Sequence, residues 1–332
     1  MNRSIDPRLE VSVIVMTFNR PESLGRCLES LSKQTFPSVL FEVVIVDGSV
    51  VPAREVVTKL RDRLDIQHLI GPNLGIAGNR NRGASHARGA CLAFMDDDCV
   101  ARPDWLERID SAFQTTPHAM IGGGVENVSP ENAYAAAGQV ITEAVMAYFN
   151  PPEQEPTFFP GLNFAISRQA FLELGGCDSQ FQLLGGGEDR DFIDRWRHAN
   201  GSLVSCPEAI VRHEHRSSLR GFVRQYFHYG RGGWLYQRLK RESGRANLPE
   251  QFKPTRSMSE CLQSPLQQLA GGMRWKVRGL IWLWWFSYRC GIIWQAMIEL
   301  VKSRKPNPKA EDKKIEEFPA VSDDHDHHKE TR

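Results

Sequence analysis

Residues 11–16, Val-Ser-Val-Ile-Val-Met, form a near-continuous apolar run rich in β-branched side chains. Such a run predicts a strand buried on both faces, and therefore a parallel sheet. After a Thr-Phe-Asn-Arg turn, Pro21 stands where a helix can begin, and Leu24, Cys27, Leu28 and Leu31 follow at i, i+3, i+4 and i+7. The alternation repeats, with strands expected at 41–46, 66–70 and 91–95 and helices at 55–64 and 76–87. Strand and helix in turn are the mark of an α/β layered sheet, in which ligands bind beyond the carboxyl ends of the strands. The loops that open at Thr17, Asp47 and Asp96 are therefore the ones to inspect.

Beyond a helix at 105–115 the order is less regular. Strands are expected at 120–125 and 162–166, with a Pro-rich loop at 150–160 that has the character of a lid. An amphipathic helix at 188–199 precedes short strands at 203–205 and 209–211, then a helix at 217–240. A polar stretch, 251–264, reads as part of a linker. Residues 279–298 hold four tryptophans in an apolar run close to spanning length, but Arg289 sits near its middle. That pattern suits a helix lying on a membrane, with Arg274, Lys276, Arg278, Lys302, Arg304 and Lys305 favouring anionic headgroups, or else one packed on the domain.

Composition narrows the class. With 332 residues and 41% hydrophobic content the chain can bury a full core. Its 41 basic and 40 acidic residues nearly cancel, which gives no reason to expect nucleic acid as a partner. Seven cysteines without a CxxC pair argue against a disulfide framework or zinc knuckle, and residues 1–10 lack the apolar stretch of a signal peptide. A cytoplasmic protein is expected, with the inner face of the cell membrane as the alternative to the bulk cytosol. The charged tail from Lys302 is expected to be disordered, its His-containing run at 324–328 solvated.

Candidate chemistry begins at Asp96, Asp97 and Asp98, which close the expected strand at 91–95. Three adjacent carboxylates repel one another, and a divalent cation resolves the conflict. Mg²⁺ or Mn²⁺ prefers carboxylate oxygens and completes its shell with phosphate and water. If the strand continues, Asp96 and Asp98 share one face. A glycine loop, 185–187, delivers Glu188 and Asp189 to the start of the helix at 188–199, where they are candidates for a general base or simply complement the helix dipole.

These segments together resemble the family 2 glycosyltransferases. Phe-Met-Asp-Asp-Asp-Cys-Val-Ala-Arg-Pro-Asp-Trp-Leu is similar to the family's DxD region, Val-Ile-Val-Met-Thr-Phe-Asn-Arg to its opening strand and turn, and Val-Ile-Val-Asp-Gly-Ser to its second strand. Residues 73–83, Asn-Leu-Gly-Ile-Ala-Gly-Asn-Arg-Asn-Arg-Gly, resemble its N-x-G-x-A-x-x-R-N-x-G segment. The resemblance, which covers roughly 11–233, implies a GT-A fold: a Rossmann-like, mixed and mostly parallel α/β sheet with flanking helices, here with a helical C-terminal segment added. It implies a nucleotide site at Thr17, Asn19, Arg20, Asp47, Arg80, Asp96 and Asp97, with Asp47 reading the base and Arg80 facing the nucleotide. A metal would be held by Asp96 and Asp98, with His213 matching a third ligand found in some members, and Asp189 would be the catalytic base. Arg231 beside glycines is a further candidate to clamp the diphosphate.

The expected activity is metal-dependent, inverting transfer of a sugar from a UDP-, GDP- or dTDP-sugar to a glycan or lipid-linked acceptor, in envelope or exopolysaccharide synthesis. The expected division is a catalytic domain at 1–245, a linker at 246–270, a Trp-rich amphipathic segment at 271–303 and a tail at 304–332. Two other classes share some of these features. A sugar-phosphate nucleotidyltransferase usually has a Gly-rich, basic loop after its first strand, and Thr17-Phe-Asn-Arg-Pro lacks those glycines. A non-catalytic sugar-nucleotide or membrane-binding module need not keep both metal acids and the Glu-Asp pair.

Overall fold

A computed structural model describes residues 9–181, 185–245 and 254–303. Strands β1 (Val11–Thr17), β2 (Phe41–Asp47), β3 (Ile66–Ile70), β4 (Cys91–Asp96), β5 (Cys99–Ala101), β6 (Ala119–Asn127), β7 (Asn163–Ser167) and β8 (Ser202–His213) form one sheet. Its order is β3-β2-β1-β4-β7-β6-β8-β5. β3, β2, β1 and β4 run parallel, as do β6 and β8, while β7 and β5 pair antiparallel to their neighbours. The mixed, mostly parallel α/β expectation is met.

Period-two alternation distributes the apolar strands between two cores. Val11, Val13 and Val15 join one core with Leu24, Leu28 and Trp105, while Ile14, Val44 and Phe94 join the other with Phe164, Phe171 and Phe192. Helices α1 (Pro21–Leu31), α2 (Arg54–Thr58), α3 (Gly75–His86), α4 (Trp105–Thr115), α5 (Ala133–Phe149), α6 (Arg168–Glu173), α7 (Glu188–His198) and α8 (Leu219–Glu242) cover the sheet, with α9 (Met258–Gln268) and α10 (Gly271–Ser303) beyond. The helix expected at 55–64 stops at Thr58 because the chain continues in i→i+3 turns, Leu60 to Val57 and Arg63 to Leu60. The two short strands expected at 203–205 and 209–211 are one, β8, interrupted where its register against β6 shifts between Gly123 and Gly124.

Three expectations need revision. α5 was not foreseen, because its Ala-rich sequence carries no sharp apolar stripe; the helix is packed by α8, α9 and α10 as well as β6. α9 lies inside the stretch read as linker, opened by a capping box in which Ser257 and Glu260 satisfy each other's backbone N–H. The loop at 150–160 is pinned rather than lid-like. Asn150 Nδ2 donates to the Phe158 carbonyl at 2.8 Å, Arg197 donates to the Pro156 carbonyl at 2.6 Å, and Phe159 is fully buried.

α10 packs lengthwise on α8. A Cβ at Gly230 would collide with the Tyr288 carbonyl, and one at Gly291 with the Phe227 carbonyl, so the two backbones meet where neither helix has a side chain. Around this crossing Arg231 Nε donates to Gln295 Oε1 at 3.0 Å, and Glu299 Oε2 accepts from Trp234 Nε1 at 2.9 Å and Arg238 Nη1 at 3.0 Å. Arg231 is thereby tied to α10 through its Nε. The charged tail, and residues 246–253 of the expected linker, fall outside the described residues.

Gly291→Leu tests the crossing. Overpacking there is expected to cost about 1–3 kcal/mol in urea unfolding. It should also speed protease cleavage between α9 and α10 relative to the sheet.

Candidate active site

β1, β2 and β4 end together: Thr17 pairs with Asp47, and Met16 with Asp96. The loops leaving these ends are tied to one another. Asn19, at φ 55°, donates its backbone N–H to Ser49 Oγ at 2.8 Å and accepts from the Val50 N–H through Oδ1 at 3.0 Å. Asp47 is wholly buried; Oδ1 accepts from the Ser49 N–H at 2.9 Å, and Oδ2 accepts from the Ala53 N–H at 2.8 Å and meets His68 Nε2 at 2.9 Å. Burial opposes ionisation of Asp47, but the donors from Ser49, Ala53 and His68 outweigh it and hold the carboxyl below its usual range.

The strand β4 ends at Asp96, and Asp97 and Asp98 form the two-residue turn into β5. Strand alternation therefore does not continue through the run, and the three carboxylates part. Arg20 spans two of them, Nη2 to Asp97 Oδ1 and Nη1 to Asp98 Oδ2, each at 2.5 Å. Burial, with the charge of Asp98 behind it, pushes Asp97 up to about 7 against the pull of Arg20. Asp98 moves the other way: burial opposes its charge, but His213, Arg20 and Arg216 together hold its carboxyl well below the usual range. The ladder between β5 and β8 sets Cys99 opposite His213, and the Glu214 N–H donates to the Asp98 carbonyl at 2.8 Å. His213 Nε2 thus lies 3.4 Å from Asp98 Oδ1, a buried oxygen without a hydrogen-bond partner.

A carboxylate oxygen and an imidazole nitrogen so close fit two ligand positions of Mg²⁺ or Mn²⁺. Among the described residues no cluster of three such side chains forms, so Asp96 is not brought into a ligand set with Asp98 and His213. The neighbouring His215 donates through Nε2 to Gln139 Oε1, 3.0 Å away, and burial with the charge of His213 pushes it down to about 3.

Opposite this turn stands the acid pair at the start of α7. The preceding loop reaches the helix through Gly185 and Gly187, at φ 71° and 94°, conformations that favour glycine. It presses on α8, where a Cβ at Gly232 would strike the Gly186 carbonyl. Asp189 accepts from the Gly161 N–H through Oδ2 at 3.1 Å and from the Arg190 N–H through Oδ1 at 2.8 Å. Glu188 is buried beside it and pairs with Arg80, Nη1 to Oε1 at 2.9 Å. Burial and the charge of Asp189 raise the Glu188 carboxyl against the pull of Arg80. Arg80 Nη2 donates to the Gly161 carbonyl at 2.7 Å and lies 4.0 Å from Asp96 Oδ1.

The family model described as Glycosyl transferase family 2 matches residues 12–178, half of the chain. A second, N-terminal domain of galactosyltransferase, matches 141–218. Glycosyltransferase AglE of Haloferax volcanii is 34% identical over 239 residues, 69% of this chain and 75% of AglE. The chain is a family 2 glycosyltransferase. Succinoglycan biosynthesis protein ExoM of Rhizobium meliloti is 30% identical over 244 residues, 70% of this chain and 76% of ExoM. The match to three other curated relatives spans about half of each. The mannosyltransferase PcManGT of Pyrobaculum calidifontis, solved with GDP-Man and Mn²⁺, superposes with a TM-score of 0.57 at 18% identity, covering 91% of this chain and 84% of that one. This likeness shows a shared GT-A fold.

In this glycosyltransferase several residues expected at the nucleotide turn inward. Asp47 is occupied by its own loop, which argues against its reading a base. Arg80 is 2% exposed and bears on Glu188 and Gly161. Asp97 is fully buried and Thr17 is 3% exposed, whereas Arg20 and Asp96 keep about a third of their side chains accessible, 35% and 31%. Farther along α7, Asp194 is buried against Lys240 and Arg245. Sequence reasoning missed Glu188 as the partner of Arg80, Gly161 as the shared anchor of Arg80 and Asp189, and Arg216, 3.8 Å from Asp98. Only the Glu-Asp pair carried a local signal for any of these.

Three substitutions probe these buried groups. Arg80→Met leaves Glu188 buried without its cation and is expected to cost about 3–5 kcal/mol, while Arg80→Met with Glu188→Leu recovers most of it in the same unfolding assay. Asp47→Asn is expected to cost about 1–3 kcal/mol at neutral pH. Because the folded carboxyl lies below its unfolded value of about 3.9, its contribution is complete above that value and is lost as pH falls through the folded one. The gap between Asp47→Asn and the native chain should accordingly close in acid.

Proposed function

We propose that this glycosyltransferase is metal-dependent and inverting, moving a sugar from a nucleoside diphosphate to a hydroxyl of a glycan or lipid-linked acceptor in cell-envelope or exopolysaccharide synthesis. The observation that carries the reading is the convergence, beyond the carboxyl ends of one sheet, of a paired Asp98 and His213 with an oriented acid, Asp189. The names of AglE and ExoM, and the GDP-Man and Mn²⁺ in PcManGT, support the same direction.

Asp98 and His213 would hold the cation through Oδ1 and Nε2, with donor phosphate oxygens and water completing its shell. A bound divalent cation would neutralise the charge that gathers on the departing diphosphate. Arg20 keeps Asp97 and the second oxygen of Asp98 compensated, so the pair is held in place without the donor. Asp96, the most accessible of the three acids, is the one that can meet the donor's sugar or ribose. The tied loops after Thr17 and Asp47, with Asn19 and Arg20, form the wall for the uracil, guanine or thymine nucleotide.

Asp189 takes the proton of the acceptor hydroxyl as its oxygen attacks the anomeric carbon and the bond to diphosphate breaks on the opposite face. One displacement of this kind inverts the configuration. The Gly161 and Arg190 N–H groups fix the carboxylate's orientation, and Arg80 and Glu188 fix Gly161 behind it.

Release of nucleoside diphosphate from UDP-, GDP- and dTDP-sugars, with Mn²⁺ or EDTA, tests the reading. One donor is expected to turn over only with metal, and Asp189→Ala should lower its rate about 10²–10⁴-fold. Full Mn²⁺-dependent turnover by Asp98→Ala would remove the metal assignment, and an unchanged rate for Asp189→Ala would place the base elsewhere.

A further inference from the structure

α10 has two faces with opposite fates. Val277, Ser287, Gly291 and Gln295 are buried, in line with the α8 crossing. On the opposite side Trp275, Trp282, Phe286, Ile293 and Met297 stand at spacings of seven, four, seven and four, with exposures of 71%, 75%, 64%, 57% and 48%. Spacing of this kind keeps all five on one side of a helix, over about 33 Å of its length. A continuous apolar stripe on that scale marks an interaction surface and not scattered surface hydrophobics. Among the described residues nothing covers it, and no helix is long and apolar enough to cross a membrane.

Charge selects the occupant. The exposed ionic side chains of α10 whose placement is described are Lys276, Arg278 and Arg289, all cationic; its sole acid, Glu299, is turned to Trp234 and Arg238. The guanidinium of Arg289 lies 3.7 Å from the ring centre of Trp285, and that of Arg278 lies 5.0 Å from Trp275. An indole body with a cation at its rim suits the boundary between acyl chains and anionic headgroups. A second copy would set these cations against their own like across a two-fold axis. The chain's own residues 304–332 offer few apolar side chains, chiefly Ile315, Phe318 and Val321.

We infer that this face of α10 docks the enzyme on an anionic bilayer, lying in its surface. The two glycine contacts of α8 relate that placement to the loop before Asp189. Gly230 meets α10 while Gly232, two residues on, meets the loop of Gly186 that leads into Asp189. Docking through α10 therefore places α10 and α8, about two helix diameters, between the lipid and the loop of Asp189, within reach of an extended lipid-linked acceptor. This last consequence rests on the proposed function, whereas docking itself does not.

The test is co-sedimentation of the full chain with phosphatidylcholine vesicles, with and without phosphatidylglycerol, alongside tryptophan emission. Binding and a blue shift are expected only with phosphatidylglycerol and should weaken with salt. Trp282→Ser with Phe286→Ser should lower the affinity about 10-fold or more, and Arg278→Glu with Arg289→Glu should abolish the preference for anionic lipid. All four side chains are exposed, so melting temperatures should match the native chain. A natively folded chain that ignores anionic vesicles, or variants that bind them as well as it does, would overturn the proposal. A native dimer in sedimentation that Trp282→Ser with Phe286→Ser dissociates would overturn it too, by assigning the face to a second copy.

Discussion

Three carboxylates in succession at the end of a buried strand cannot all keep their charge without cations drawn from elsewhere in the chain. The surroundings of Asp96, Asp97 and Asp98 answer that demand. Arg20 comes from the loop after β1, Arg80 from α3, His213 from the end of β8 and Arg216 from the loop after it. Each of these elements is remote in sequence, so compensating one turn gathers the first, middle and last strands of the domain around it. The compensation is also uneven. Arg20 lies against Asp97 and Asp98, Arg80 is shared with Glu188, and Asp98 keeps one buried oxygen turned to His213 without a hydrogen bond. That oxygen and the His213 imidazole are the two groups the proposed cation would join.

Arg80 carries this constraint across the sheet. A buried guanidinium with an acid on one side and a carbonyl on the other is rigid. Here its neighbours are Asp96, Glu188 and the Gly161 carbonyl, whose own N–H holds Asp189. The turn at Asp96 and the acid at the head of α7 are therefore set against each other by one side chain. The cost is a buried pair that stabilises little by itself and is damaging when broken.

Most of the fold was legible because it follows from period. Apolar runs gave β1, β2 and β4 nearly residue for residue, and the stripes of α1, α4 and α7 are strong. Of the candidate site, the sequence offered residue types, and the structure sets His213 beside Asp98 and Arg80 between Asp96 and Glu188. What failed were statements about where side chains point. Arg80 reads from its motif as facing the nucleotide, and nothing local says that it will pair with Glu188, 108 positions on. Asp47 reads as a base-binding acid until the loop at 49–53 folds back onto it. α5 escaped because a helix enclosed on several sides has no polar face to reveal its period, whereas the Ser257–Glu260 capping box of α9 was a local signal left unused.

The C-terminal helices extend the argument from charge to shape. The loop before Asp189 is built of glycines because α8 approaches it too closely for a Cβ, and α8 is itself glycine-bearing where α10 crosses. Backbone-to-backbone packing of that kind leaves little room for independent motion, since interiors at this density transmit displacement. α10 is thus more than an appendage with an apolar face. Anything that seats on α10 acts on α8, and α8 bears directly on the loop that positions Asp189, which joins the surface meeting the partner to the acid expected to meet the acceptor.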